Sequence, residues 1–278
     1  MNLLQNEILN IYKEIANICA RNGLDYFAIG GTCLGTIRHQ GFIPWDDDRD
    51  LAIPIEQFDR FKECMKKELP EHLYLYDCED IREYRYIFSK ICNRNTAFIE
   101  ESERPYPHAY KGLFVDIMPI SGVPDNHKYQ SEFVDKVRTY YRLNYIFRYP
   151  WKAMDNWKQK TMWIILHACF FHKPYNYFSH KWMEMLMTQP FVSAKKVGYV
   201  WSTSIKRLIF PKEWFSKHVE LTFEDTIMRC PIGYDKYLTQ QFGDYMELPP
   251  ENERLQHHPY IVDLEHSYVE YTDKRKER

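Results

Sequence analysis

The 278-residue sequence has no apolar run long enough to cross a bilayer. Its most apolar stretch, MWIILHACFF at 162–171, is interrupted by His167 and falls well short of the ~20 residues a spanning helix needs. Nor is there an excess of charge: 37 Lys and Arg face 39 Asp and Glu, a formal charge of −2, which removes the electrostatic basis for non-specific nucleic-acid binding. There is no C-x-x-C pair, and the seven cysteines are odd in number, which argues against a disulfide framework or a zinc ribbon and for a reducing compartment. The opening residues, MNLLQNEILNIYKEI, lack a basic start, an apolar run and a small-residue cleavage site, so no secretory signal and a cytoplasmic location are expected. No internal repeat or low-complexity segment is visible, and glycine is scarce at 10 residues.

What is present is the balance of a globular protein, with 45% hydrophobic and 27% charged residues and length for roughly two domains or one large one. Aromatic residues reach 17%, a content suited to aromatic-walled pockets or interfaces as well as to core filling. Leu4, Ile8, Ile11, Ile15 and Ile18 recur at helical steps, and Asn22-Gly23 closes the helix they predict. A short strand at 26–29 (YFAI) leads through the turn Gly30-Gly31-Thr32 into a short helix ending near Arg38. The pattern then predicts a strand at 48–53, a helix at 55–69, strands at 73–76, 86–91 and 96–99, and a strong strand at 113–120, LFVDIMPI. The sum is an α+β core over 1–123, followed by an inserted helical, aromatic-rich region at 124–196 and a C-terminal part at 197–278 that packs back on the core, ending in a frayed charged tail. Between Lys128 and Lys160 basic and aromatic residues interleave. That makes either a surface suited to an anionic membrane or phosphate-rich polymer or, given Asp125, Glu132, Asp135 and Asp155, a solvated helix face.

The segment 30–50, GGTCLGTIRHQGFIPWDDDRD, carries the chemistry. Gly30 and Gly35 have P-loop spacing, but Thr36 and Ile37 stand where Lys and Ser/Thr are needed, and Thr32 replaces the second glycine of a dinucleotide fingerprint. Asp46, Asp48 and Asp50 match the first ligands of a calcium loop, but Leu51 and Gln57 break its later positions. What survives is a diglycine turn opening a helix, whose N–H groups suit a phosphate, and an Asp-x-Asp pair at a strand start, whose carboxylates face one way and suit hard cations. Asp116, alone in an apolar strand, is a further carboxylate that needs a partner or a metal. These parts compose a two-metal phosphoryl-transfer site. The alternative is a solvated acidic turn in which Asp48 or Asp50 caps a helix.

The run GGTCLGTIRHQGFIPWDDDRDLAIP resembles the LicD family of phosphotransferases, which includes bacterial cholinephosphotransferases and is distantly related to fukutin and the fukutin-related protein. The likeness continues through FSKICNRNTAFIE (88–100), GLFVDIMPI (112–120), IFPKEWF (209–215) and PIGYDKYLTQQFGDYMELPP (231–250) to His257-His258. It implies a nucleotidyltransferase-like mixed sheet with flanking helices. It also implies an enzyme that moves phosphocholine from CDP-choline to a hydroxyl of a teichoic acid, lipopolysaccharide or capsule precursor, with release of CMP. On that resemblance Asp48 and Asp50 are the metal-binding pair with Asp46 or Asp47 assisting, Asp116 is the third carboxylate, and Mg²⁺ or Mn²⁺ is the cofactor. Asp116 orients the acceptor hydroxyl or takes its proton. Gly30, Gly31 and Thr32 hold the phosphates. Arg38, His39 and Lys90 are candidate phosphate contacts, with a packed histidine and a surface lysine as the alternatives for the last two. Choline calls for aromatic faces, and Trp45, Tyr84, Tyr86, Tyr110 and Trp201 are the candidates, with a structural plug beside the loop as the alternative for Trp45; His257 and His258 are either near the site or on the surface. A lipid-linked glycan acceptor at the inner face of the membrane would give the aromatic basic region a role in peripheral docking. The rivals are a CDP-linked ribitol or glycerol donor, a true nucleotidyltransferase, and a silent glycan- or membrane-binding scaffold.

Overall fold

The structure, a computed structural model, describes residues 1–82, 84–104, 106, 109–151, 154, 156–199, 208–254 and 259–272. Helix α1 (Leu3–Asn22) starts at a capping box, in which the Asn2 side chain accepts from the Gln5 N–H and the Gln5 side chain accepts from the Asn2 N–H. It ends at Gly23, whose φ of 60° is the left-handed conformation a helix C-cap requires. Its apolar stripe, including Ile8, Ile11, Ile15 and Ile18, is buried, as its spacing predicts.

The central sheet has seven strands. Its main path runs β1 (Phe27–Ala28), β2 (Asp50–Pro54), β6 (Phe114–Val123), β4 (Ser89–Asn93), β3 (Leu73–Tyr76). Strands β7 (Lys196–Gly198) and β8 (Ile209–Pro211) extend it from the far end of β6. Only β2 and β6 pair in parallel among these strands; the other pairings are antiparallel, so the sheet is mixed and the fold is α+β, as expected. All ten residues of β6 are buried, which fits a central strand covered on both faces. Helix α2 (Gly30–His39) leads from β1 towards β2, and α3 (Ile55–Glu68) follows β2 directly. Strand β5 (Ala97–Glu100) pairs with β11 (Pro259–Asp263), and β9 (His218–Phe223) with β10 (Thr226–Pro231) forms a hairpin beside α7 (Tyr234–Phe242).

Three of the boundaries that depart from the sequence pattern bear on the site. Helix α2 begins at Gly30 itself, so the diglycine is its first turn and not a turn before it. Strand β2 begins at Asp50, leaving Asp48 in the irregular segment ahead of the strand. Strand β4 begins at Ser89 rather than at 86, and in the segment ahead of it side chains of α4 (His127–Arg148) take backbone carbonyls: Asn144 donates to that of Arg85, and Arg148 to those of Tyr84 and Ile81. The aromatic region supplies α4, α5 (Trp157–Phe170) and α6 (Tyr177–Met187). Among the described residues no helix is long and apolar enough to cross a membrane.

Candidate active site

Three charged residues meet in one row across the sheet centre. In the β2–β6 register Asp50 lies opposite Asp116, and in the β4–β6 register Lys90 lies opposite Asp116, so the three side chains share a face. Asp116 and Lys90 are both buried, and Lys90 Nζ stands 3.2 Å from Asp116 Oδ1. Burial, the largest influence on Lys90, opposes its charge, but Asp116 and Tyr86 outweigh it and hold the lysine protonated above its ordinary range. The same ammonium lies 3.2 Å from the centre of the Phe114 ring, a cation–π contact out of water. Lys90 is therefore neither on the surface nor solvated.

The first turn of α2 closes on the other end of this row. Gly30 has φ +54°, and a Cβ there would lie 3.2 Å from Asp50 Oδ2; a Cβ on Gly31 would lie 3.1 Å from Asp46 Oδ2. The two glycines thus exist so that two carboxylates can approach the helix start. Thr32 Oγ1 accepts the Asp50 N–H at 2.9 Å, tying the beginning of β2 to the same turn. The Gly30 N–H donates at 2.6 Å to the buried Tyr237 hydroxyl of α7, which in turn bonds Tyr199 Oη at 2.9 Å. One N–H of the turn is therefore committed to the protein.

The acidic run is held from behind. Gln5 Nε2 of α1 donates to the carbonyls of Ile43 and Asp46 at 3.2 and 3.0 Å. The Asp46 carboxyl is pushed up to about 8, first by burial and then by Asp48, with which it also hydrogen-bonds, and by Asp47. Carboxylates that close share a proton or a cation. Arg49, between two of them in sequence, lies buried on Phe42 and Phe223, with its guanidinium carbon 4.0 and 3.8 Å from their ring centres. Burial lowers its pKa to about 9, while Tyr12, Asp46, Glu224 and Asp48 favour its charge. Among the described residues no three His, Cys, Asp or Glu side chains already form a metal cluster. The donor chemistry nevertheless fits Mg²⁺ or Mn²⁺, since magnesium is commonly held by one or two carboxylates plus substrate phosphates rather than by an all-protein cage.

Arg38 and His39 are not brought to the carboxylates. Arg38 lies eight residues along α2 from Gly30, about 12 Å, and its guanidinium donates to the carbonyls of Tyr245 and Glu247 and to His39 Nε2. Burial, then the Arg38 charge, lowers the His39 pKa and favours the neutral ring. Gly30, Leu34 and Arg38 follow one another at i, i+4 and i+8, so they form one stripe of α2. At its far end opens a pocket of about 430 Å³ lined by Leu34, Arg38, Trp45, Asp244, Tyr245 and Glu247 among others. Trp45 there carries the Arg254 guanidinium 4.6 Å from its ring centre. Of the other aromatic candidates, Tyr84 is buried, Tyr86 faces Lys90, and Tyr110 stacks on Tyr74 at 4.4 Å. Trp201, His257 and His258 lie outside the described residues.

The family model described as LicD/FKTN/FKRP, nucleotidyltransferase domain, matches residues 23–156. A protein of Haemophilus influenzae named lipopolysaccharide cholinephosphotransferase LicD is 31% identical over 257 residues, 90% of this chain and 92% of that one. The chain belongs to the LicD family. Two uncharacterised Rickettsia proteins share shorter segments, 34% identical over 64 residues in R. typhi and 39% over 46 residues in R. prowazekii, each covering about a fifth of the chains or less. The LicD-domain match encloses Gly30, Gly31, Thr32, the aspartate run, Lys90 and Asp116, and leaves out Gln5, Tyr237 and the 242–250 wall of the pocket. Gln5, Arg49 and Tyr237 were not singled out by sequence reasoning. For Gln5 the one signal is a polar side chain on the apolar stripe of α1; Tyr237 sits in a family-like run that marks no role for it.

Proposed function

We propose that this LicD-family chain transfers phosphocholine from CDP-choline to a hydroxyl of a cell-surface glycan and releases CMP. The observation that carries the reading is the convergence of the diglycine helix start, the aspartate run and the Lys90–Asp116 pair, in a chain similar along nearly its whole length to a cholinephosphotransferase. The helix start and the acidic run receive the diphosphate. Asp46, Asp48 and Asp50, with Asp116 beside them, would hold Mg²⁺ or Mn²⁺, which when bound neutralises phosphate and leaving-group charge. Asp116, 3.2 Å from the Lys90 ammonium, accepts a hydrogen bond from the acceptor hydroxyl and takes its proton as the new O–P bond forms. The bond from phosphorus to the oxygen of CMP breaks, and CMP leaves with that oxygen. The α2 stripe leads from the phosphates to the Trp45 pocket, where an aromatic face beside Asp244 and Glu247 suits a quaternary ammonium. Arg254 on Trp45 marks that face as a seat for positive charge, which the choline would take over.

The test is CMP release from CDP-choline, CDP-ribitol and CDP-glycerol, each with Mg²⁺ or EDTA and with or without envelope glycan. Metal-dependent release from CDP-choline is expected, and it is lost in the Asp48→Asn/Asp50→Asn double variant while thermal unfolding stays that of the parent. Trp45→Ala should raise KM for CDP-choline about tenfold and leave any activity on the polyol donors unchanged. Preference for a polyol donor would overturn the choline assignment, and full activity in the double variant would overturn the site.

A further inference from the structure

Helix α5 has apolar residues on every side: Leu166 packs inward, and Trp163 and His167 stack with Trp151 and Phe147, yet the outer face is also apolar. Trp157, Ile164 and Ile165 are 70%, 52% and 53% exposed, and Phe171 just beyond the helix is 83% exposed. Trp157, Thr161, Ile164, Ile165 and Ala168 recur at i, i+4, i+7, i+8 and i+11, one continuous outward stripe. A contiguous exposed patch of this kind marks an interaction surface. Its partner's charge is set by the sequence: residues 156–180 contain Lys158, Lys160 and Lys173 and not one Asp or Glu, while Lys181 beyond them is paired with Glu184. On a helical wheel Lys158 and Lys160 flank the stripe on its two sides. A second copy of the chain would set these cationic rims against each other across a two-fold axis, which disfavours self-association. At 14 residues, about 21 Å long, α5 cannot span a bilayer, but it suits one lying in the headgroup layer.

We propose that the outer face of α5 docks on an anionic lipid bilayer, with Trp157, Ile164, Ile165 and Phe171 inserted at the interface and the flanking lysines on lipid phosphates. The proposal stands on this surface and is independent of the donor's identity. Of the interleaved Lys128–Lys160 region it keeps the Trp157–Lys160 end, the first turn of α5, and extends the docking face along the rest of that helix.

The purified chain is sedimented with vesicles of phosphatidylcholine alone and of phosphatidylcholine mixed with phosphatidylglycerol, and CMP release from CDP-choline is read separately in solution. Binding to the mixed vesicles that weakens with salt is expected. Ile164→Gln/Ile165→Gln should lower the partition coefficient about tenfold or more, and Lys158→Gln/Lys160→Gln about fivefold per charge on anionic vesicles only. Both variants change exposed residues, so their solution CMP release and unfolding should match the parent. Failure of the parent to bind anionic vesicles, or equal binding by the isoleucine variant, overturns the proposal. So does a dimer that the isoleucine variant dissolves in the absence of vesicle binding.

Discussion

A methyl group added at Gly31 separates folding from catalysis. Gly31 lies in the first turn of α2 with ordinary helical backbone, so alanine there gains up to about 1 kcal/mol of helix propensity. Its Cβ, however, would lie 3.1 Å from Asp46 Oδ2, and the carboxylate must give way by a few tenths of an ångström. The two effects oppose each other, and Gly31→Ala should unfold within about 1 kcal/mol of the parent. Gly30→Ala is different. There the methyl group meets Asp50 Oδ2 at 3.2 Å and forces an L-residue to φ +54°, a strain of about 1–2 kcal/mol. Displacing an acidic group of the proposed phosphoryl-transfer site by a fraction of an ångström should cost about tenfold in kcat. The assay is urea unfolding alongside CMP release at saturating CDP-choline. Gly31→Ala should be close to the parent in the first and about tenfold slower in the second; Gly30→Ala should lose in both. Wild-type kcat in Gly31→Ala, with Asp46→Asn inactive, would refute the idea that the diglycine exists to admit the carboxylates.

Tyr237→Phe should destabilise the chain by about 1–3 kcal/mol, because the Gly30 N–H loses its buried acceptor; it should also lower kcat more than Tyr199→Phe, which leaves that bond in place. Chemical denaturation and steady-state kinetics on the two variants check this, and equal effects would count against a role for Tyr237 at the helix start. Buried Glu103 gives a pH signature. Its carboxyl rises from 4.5 to about 7, chiefly through burial, with Lys90 opposing the shift. The folded chain therefore binds the proton more tightly than the unfolded one, and stability falls as pH rises from about 4.5 to 7. Glu103→Gln should remove that fall, ending about 3 kcal/mol more stable than the parent at pH 8 and equal to it near pH 4. Urea midpoints at the two pH values test it, and a parallel pH dependence in both proteins would refute it.

The local features were legible because their causes are local. The isoleucine spacing of α1 and the Gly23 stop need no partner to be read, and LFVDIMPI is apolar enough to announce the central strand that became β6. Strand alternation aligns Asp48 with Asp50 only inside a strand, and β2 starts at Asp50, so Asp48 is placed by the preceding segment. That Lys90 lies opposite Asp116 was beyond sequence reasoning, because register between distant strands is set by tertiary packing. Arg38 has the chemistry of a phosphate ligand but is taken up by the carbonyls of Tyr245 and Glu247, more than 200 residues away. Arg49 reads as one more solvated charge in an acidic run; only the aromatic faces of Phe42 and Phe223, brought from a loop and a distant hairpin strand, give it a buried place.

The strand order carries a consequence for synthesis of the chain. Strands β2 and β4 are made before β6, yet β6 lies between them and is the neighbour to which both Asp50 and Lys90 are registered. A nascent chain that has emerged only as far as β4 can already tie the diglycine to Asp50 through the β1–β2 pairing and the Thr32 bond, but Lys90 has no register to either. When β6 arrives it must enter between two existing edges and close long loops on both sides, a slow, non-local step. The arrival of that one strand therefore joins the two halves of the centre: truncated or stalled chains carry the diglycine–aspartate half and the lysine without the row that brings them together.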